Sequence, residues 1–129
     1  MDRDKKNCID LDVWKGARVL SKEVYLASSQ FPSEEKFGLT SQIRRAVVSI
    51  PSNIAEGCGR NYPKDSIQFF YIPRGSIYEV ETQLYLAFDL DFISETYLSV
   101  LLEKLETTRK LLNGFIKYYQ RWLNRHSGL

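Results

Sequence analysis

The sequence has few residues of the kinds that cross-link a fold, bind a metal or carry out acid–base chemistry. It contains two cysteines and one histidine in 129 residues. Cys8 and Cys58 are fifty positions apart and form no Cys-x-x-Cys pair, so we interpret them as reduced thiols of a cytoplasmic protein. His126 completes no Glu-x-x-His pair of the di-iron type, and no Gly-x-Ser-x-Gly elbow presents a serine nucleophile. We therefore expect no metal, no cofactor and no enzymatic activity.

Long apolar runs are also absent. No stretch approaches the roughly 18 consecutive apolar residues of a membrane span, and residues 1–6 are not followed by the apolar segment of a secretory signal. We expect a protein of the cytoplasm that does not enter a membrane. A chain of this length fits one domain, so we predict a single domain over residues 1–129, with frayed ends at 1–9 and 125–129.

Helical periodicity is what the sequence does have. Apolar residues recur at helical spacing in four segments, which are predicted to be helices at residues 10–29, 40–56, 63–90 and 95–124. Ser94 is the predicted N-cap of the last one. Strand-like alternation is absent. Because the connections are short, neighbouring helices should be antiparallel, which predicts an all-α, up-and-down antiparallel four-helix bundle.

The second predicted helix contains residues that commonly interrupt helices. Pro51 has no backbone N–H to donate, so we expect a kink there. Ser49, Ser52 and Asn53 are interpreted as the groups that satisfy the backbone carbonyls freed by this proline. The Gly57-x-Gly pair is expected to end the helix, because glycine tolerates the left-handed conformation of a C-cap.

The last two helices have more apolar surface than one packed side requires. Apolar side chains between residues 98 and 123 cover an arc of about 200°, against about 100° or slightly more for a helix packed on one side. On the third helix, which Pro73 should bend, three tyrosines recur every seven residues along one edge. The candidates for a subunit interface are Tyr71, Ile72, Tyr78, Tyr85, Leu86 and Trp122. Stacking of nucleic-acid bases on the tyrosines is the alternative interpretation.

Charge is unevenly distributed along the chain. The net charge is +2, but residues 65–103 carry −6 and residues 104–129 carry +5. Four basic residues share the polar side of the last helix and are candidates for contacting the phosphates of RNA or DNA: Lys110, Lys117, Arg121 and Arg125. The alternative is a solvated helix face, whose cations are favoured near the C-terminal end of the helix dipole.

Two ordered motifs resemble the signatures of a known family. Residues 31–57, FPSEEKFGLTSQIRRAVVSIPSNIAEG, and residues 74–84, RGSIYEVETQL, followed by Leu86-Ala87, are similar to those of the four-helix bundle proteins named after 23S rRNA intervening sequences. The likeness spans about residues 10–122. Pro73 departs from the pattern, since members of the family usually have a small residue such as alanine there.

The charged residues of these motifs have two possible roles. They are Arg44, Arg45, Glu56, Arg74, Glu79 and Glu81. We interpret them as structural ion pairs that fix helix register, because a buried charge without a partner is costly. A polar functional site is the alternative. Arg74 and Glu81 fall within the core arc of the third helix and are both expected to be paired.

The resemblance implies a four-helix bundle and a ring-like homo-oligomer, which is pentameric in related proteins. It also implies similarity in fold to the basic accessory protein of diversity-generating retroelements, which associates with nucleic acid and a reverse transcriptase. No enzymatic activity is established for the family.

These observations together predict a non-enzymatic, homo-oligomeric protein that associates with nucleic acid or acts as a scaffold. It would present repeated Lys and Arg clusters to phosphates without reading bases. The alternative is a protein-binding adaptor with no nucleic-acid role, in which the acidic third helix and the apolar faces contact a protein partner.

Overall fold

Four long helices make up nearly all of the chain that the structure describes. The computed structural model describes residues 8–127, with helices α1 (Asp12–Ser28), α2 (Leu39–Cys58), α3 (Pro63–Asp89) and α4 (Glu95–Ser127). Short 3-10 turns lie at Cys8–Asp10 and Ser33–Glu35, and residues 8–127 contain no strand. The predicted all-α class is confirmed. None of the described helices is long and apolar enough to cross a membrane.

The ends of the chain were predicted to be frayed at residues 1–9 and 125–129. Of these, residues 1–7 and 128–129 lie outside the described residues. Within the described residues, α4 continues through Ser127, beyond the end predicted at residue 124.

Consecutive helices are antiparallel. Moving toward the C-terminus of one helix, each contact is made with a residue closer to the N-terminus of the next helix. The contacts are Ser21–Val47 and Ser28–Arg44 for α1 and α2, Ser49–Ser76 and Gly57–Phe70 for α2 and α3, and Tyr71–Gln120 and Glu81–Arg109 for α3 and α4. Since α1 also packs on α4, the four helices close into an up-and-down bundle.

The core runs along the bundle axis and receives side chains from every helix. The largest side chains removed from solvent are Leu20, Val24, Ile43, Val47, Ile50, Ile54, Phe70, Ile77, Leu84, Leu101, Leu105 and Leu112. The apolar arc of α4 is wider than this core. Val100, Leu111 and Tyr118 lie on it but remain 43%, 36% and 41% exposed, so one protomer does not cover the whole arc.

The helices continue through their internal prolines, Pro51 in α2 and Pro73 in α3. Pro51 leaves the carbonyl of Val47 without its usual intrahelical donor. Ser21 Oγ of α1 donates to that carbonyl at 3.3 Å. We expected a polar residue next to the proline to donate to the carbonyl that it frees. This expectation is wrong, since Asn53 Nδ2 donates to the carbonyl of residue 49. The side chain that reaches the Val47 carbonyl, Ser21, belongs to a different helix.

Of the two glycines expected to end α2, Gly59 is the C-cap, with a φ of −82° and not the left-handed conformation, whereas Gly57 has no capping role. It is buried within α2, and no glycine among the described residues has a positive φ. A Cβ built at Gly57 would lie 2.3 Å from Cε1 of Phe70. Glycine at this position therefore allows α2 to pack closely on α3.

The connection between α3 and α4 sets these two helices side by side. Asp91 has a φ of 63°, and the amide of Phe92 donates to the carbonyl of Ala87 at 2.8 Å, as in a Schellman motif. The predicted N-cap of α4 is confirmed, because the amide of Tyr97 donates to Ser94 Oγ at 3.1 Å. The chain thus reverses within five residues, and the surfaces of α3 and α4 form one continuous face.

Candidate nucleic-acid interface

The predicted phosphate-contacting residues of α4 are all exposed. Lys110, Lys117, Arg121 and Arg125 project into solvent, and their spacing of seven, four and four residues places them on one side of the helix. The segment from residue 107 to residue 127 contains no aspartate or glutamate. This side of the second half of α4 is therefore positively charged throughout.

Antiparallel packing converts the uneven charge of the sequence into two oppositely charged ends of the helix pair α3 and α4. The second half of α3 lies beside the first half of α4, and together they carry Glu79, Glu81, Asp89, Glu95, Glu103 and Glu106, of which Glu81 and Glu106 border the contact between the two helices through Arg109. The opposite end carries the basic residues Lys64, Arg74, Lys110, Lys117, Arg121 and Arg125 and one acidic residue, Asp65. A polyanion is attracted to the second of these ends and repelled by the first.

Arg109 connects the two helices between these ends. Its NH2 group lies 3.1 Å from Oε2 of Glu81 on α3, and its NH1 group is paired with Glu106 of its own helix. The guanidinium also lies over the ring of Tyr78, 5.0 Å from the centroid. Burial lowers the pKa of Arg109, but the hydrogen bonds and charges of Glu81 and Glu106 raise it, and the net pKa lies above its ordinary value.

Glu81 and Arg74 have different kinds of partner. Glu81 is in the ion pair with Arg109. Arg74 is exposed, and its guanidinium lies 4.7 Å from the ring centroid of Tyr71. The ion pair expected of Arg74 is not found among residues 8–127. The hydroxyl of Tyr71 accepts a hydrogen bond from Nε2 of Gln120 at 3.1 Å, which holds the ring at the boundary between α3 and α4.

The sequence analysis did not single out Arg109 or Gln120. Arg109 lies at the border of the apolar arc of α4, where a basic residue is usually solvated with its stem along the core. The one sequence signal was its spacing of three residues from Glu106, which allows an ion pair on a helix.

The other candidate ion-pair residues lie near the bundle surface. Arg44 Nε donates to Ser28 Oγ at 2.8 Å, and Glu56 pairs with Arg60 at 3.2 Å. Arg45 and Glu79 are exposed, and neither has an ion pair within the described part of the chain. Of the six, only Glu81 connects two helices through an ion pair among residues 8–127.

The candidate interface residues divide between two faces. Ile72 and Leu86, 47% and 45% exposed, lie on the outer side of α3. Tyr71, Tyr78 and Tyr85 lie instead toward α4, where guanidinium groups cover the first two. Trp122 is half-buried near the end of α4 and stacks on the ring of His126 at 4.0 Å.

A further apolar surface lies where α1 meets α4. A groove of about 420 Å³ there is lined by apolar residues that include Val19 and Val100, with Glu103 and Lys104 beside them. Val19 is 52% exposed, and Val100 and Leu111 continue the apolar surface along α4. This surface and the outer side of α3 are on different sides of the bundle, since α1 and α3 are not in contact.

No three side chains among His, Cys, Asp and Glu gather into a possible metal site within residues 8–127.

The family model described as 23S rRNA-intervening sequence protein matches residues 9–114. Lys110 lies inside the matched region, whereas Lys117, Arg121 and Arg125 lie beyond it. An interpretation of these three residues therefore depends on their charge and exposure in this chain.

Among solved structures, the chain is similar to a protein of unknown function from the S23 ribosomal protein family of Bacteroides thetaiotaomicron VPI-5482. The TM-score is 0.75 and the sequence identity is 22%. The likeness covers 81% of this chain and 98% of that one, and at this identity it shows the fold alone. No curated protein matches the chain.

Proposed function

This chain belongs to the 23S rRNA-intervening sequence protein family, and from this membership and the charge of α4 we propose that it is a non-catalytic, nucleic-acid-associated protein of the cytoplasm. The observation that carries the proposal is the exposed set Lys110, Lys117, Arg121 and Arg125 on a helix segment without a single acidic residue. The same four side chains are free of ion pairs among the described residues, so no neutralising partner has to be displaced.

The proposed mechanism is electrostatic. Phosphates that contact lysine or arginine release condensed counterions, and this release favours binding irrespective of sequence. Contacts of this kind hold a protein on the backbone but carry no information about the bases.

Self-association is the second part of the proposal. The apolar surface at α1 and α4, with Val19, Val100 and Leu111, and the outer side of α3, with Ile72 and Leu86, are different surfaces of one protomer. Contact between two different surfaces is heterologous, and such contacts generate a ring when the rotation between copies closes. A ring would repeat the basic side of α4 once per subunit and raise its affinity for a long polyanion through avidity.

A salt titration tests the association with nucleic acid. Fluorescence anisotropy of labelled mixed-sequence RNA and DNA between 50 and 200 mM NaCl should give a log K that falls linearly with log salt. Changing all four basic residues of α4 to Gln should lower the magnitude of that slope by up to about 3, since each phosphate contact on a single strand contributes about 0.7.

A matched control removes the same number of charges elsewhere. Lys15, Lys22, Lys36 and Arg45 are exposed and lie outside α4, so the fourfold Gln variant at these positions should keep most of the wild-type slope. Equal loss in both variants would indicate a net-charge effect rather than a site. If wild type binds neither RNA nor DNA at 50 mM salt, the protein-binding adaptor is the better description.

A further inference from the structure

The face shared by α3 and α4 has aromatic rings where its acidic and basic ends meet. Tyr78 is 57% exposed, and Tyr71 is half-buried one seven-residue repeat before it. Gln120, which donates to the Tyr71 hydroxyl, is one helical turn from Lys117 and on the same side of α4. Tyr71 and Lys117 therefore border the same surface, and Tyr78 lies two turns further along the same edge of α3.

Tyr78 is held in place before any ligand arrives. Arg109 lies over its ring at 5.0 Å, and Arg109 is in turn held by Glu81 and Glu106. More than half of the tyrosine side chain nevertheless remains open to solvent. A ring that is oriented by a cation on one side and exposed elsewhere loses little conformational freedom when a flat group stacks on it.

Stacking on an exposed aromatic ring distinguishes single strands from duplexes. Aromatic side chains stack on bases whose faces are open, and every base has such a face. The bases of a duplex are already paired and stacked, and stacking a tyrosine on one requires that it be unstacked first. The phosphates of both forms remain available to lysine and arginine.

Building on the nucleic-acid association proposed above, we propose that the middle of the α3–α4 face, with the basic residues that adjoin it, is a binding site for single-stranded RNA or DNA. An unpaired base stacks on Tyr78, and the adjoining phosphates contact Arg74, Lys110 and Lys117. The cations supply affinity for any nucleic acid, and the tyrosine supplies the preference for single strands.

Tyr85 provides an internal comparison, because it has the same chemistry without neighbouring cations. It is 48% exposed and lies about 10 Å further along α3. Glu81 lies one turn from both tyrosines, but Tyr78 has Arg74 one turn before it and Arg109 over its ring. Tyr85 instead has Asp89 one turn after it, and residues 81–89 contain no lysine or arginine. The uncompensated carboxylates repel a phosphate backbone, so Tyr85 lies outside the site.

The test compares a 5′-labelled twelve-nucleotide oligo(U) or oligo(dT) with a twelve-base-pair duplex in fluorescence anisotropy at 50 mM salt. Tyr78→Ala should weaken single-strand binding about 5- to 100-fold and leave duplex binding unchanged. Tyr78→Phe, which keeps the ring, should bind like wild type. Tyr85→Ala should change neither affinity by more than about twofold. Lys117→Gln should weaken both forms.

The stacking site and the electrostatic proposal fail in different ways. If Tyr78→Ala and Tyr85→Ala both bind the single strand like wild type while the fourfold Gln variant of α4 loses salt-dependent binding, the stacking site is refuted and the electrostatic association stands. If neither oligonucleotide binds wild type at 50 mM salt, both proposals fall. If Tyr78→Ala lowers the mass in light scattering and leaves binding intact, the tyrosine faces a second copy and the stacking site is again refuted.

Discussion

Gly57 determines how closely α2 can approach α3. The ring of Phe70 occupies the place that a side chain on residue 57 would need, with its Cε1 2.3 Å from a Cβ built there. Phe70 is itself fully buried and packs against Phe115 and Tyr119 of α4 at centroid distances of 4.8 and 4.9 Å. The ring cannot move away without disturbing the contact between α3 and α4.

Gly57→Ala should therefore destabilise the protein. Overpacking of a well-packed core costs about 1–3 kcal/mol, which should appear as a lower midpoint in urea unfolding followed by circular dichroism. Gly114→Ala is the matched control, because a Cβ at Gly114 meets nothing within 4 Å. It should raise the free energy of unfolding by about 0.5–1 kcal/mol through helix propensity. A stabilised Gly57→Ala variant would contradict the packing role.

Between elements, α1 and α2 are joined by a polar contact at a proline. Pro51 has no N–H, and the single proton of Ser21 Oγ is shared between the carbonyl of Ala17 in its own helix, at 2.8 Å, and the carbonyl of Val47, at 3.3 Å. A half-buried carbonyl without a donor carries a desolvation cost. The shared hydrogen bond from α1 lowers that cost at the carbonyl that Pro51 leaves without its helical donor.

Ser21→Ala should accordingly lower stability by about 1 kcal/mol. Thr107→Ala serves as the comparison, since the Thr107 hydroxyl is exposed and donates only to the Glu103 carbonyl of its own helix. It should change the free energy of unfolding by less than about 0.5 kcal/mol. Urea midpoints measured for both variants under one set of conditions decide the matter. Equal effects would mean that the contact between helices contributes nothing beyond the local one.

At the scale of the whole molecule, the bundle has surfaces of three different kinds. The side at α1 with α4 and the outer face of α3 expose apolar side chains, with Glu103 and Lys104 also lining the first of these. The helix pair α3 and α4 carries charge of opposite sign at its two ends. Isolated protomers of soluble proteins seldom leave contiguous apolar surface uncovered. This separation assigns the proposed self-association and the proposed polyanion binding to different parts of the same protomer.

Val100→Glu should prevent self-association. A carboxylate in the middle of an apolar contact is costly to desolvate, so the mass from multi-angle light scattering should fall from a multiple to the 15.0 kDa of one chain. Val48→Glu is the matched control, because Val48 is 40% exposed but lies on α2, away from both proposed contact surfaces. A wild-type protein that is already a monomer would contradict the proposed assembly.

Much of the fold follows from periodicity and caps that the sequence displays directly. The positions of the four helices, the burial of residues such as Leu20 and Leu105 and the Ser94 cap depend on local spacing. The helix ends differ by up to three residues, with the largest difference at Ser127. A helix end depends on which later residues still find something to pack on, and this is not a local property.

The candidate site could be predicted from the sequence only in part. The basic residues of α4 share one side by spacing alone, and the structure places them there. The partners of Glu81, Tyr71 and Tyr78 lie on another helix, and pairing across helices depends on the register between α3 and α4. Register follows from how two core surfaces interlock and from the length of the connection between them, so neither helix alone predicts it.

The amino-acid sequence by itself determined that this protein is a bundle of four helices, that its last two helices have excess apolar surface, and that its last helix has a basic side. These are one-dimensional properties, because helical spacing fixes which residues share a side. Only the tertiary structure decided that Gly57 makes room for Phe70, that Ser21 supplies the bond Pro51 lacks, and that Arg109 rather than Arg74 connects α3 to α4. Each of these depends on distances between side chains far apart in the chain, which exist only once the helices have packed.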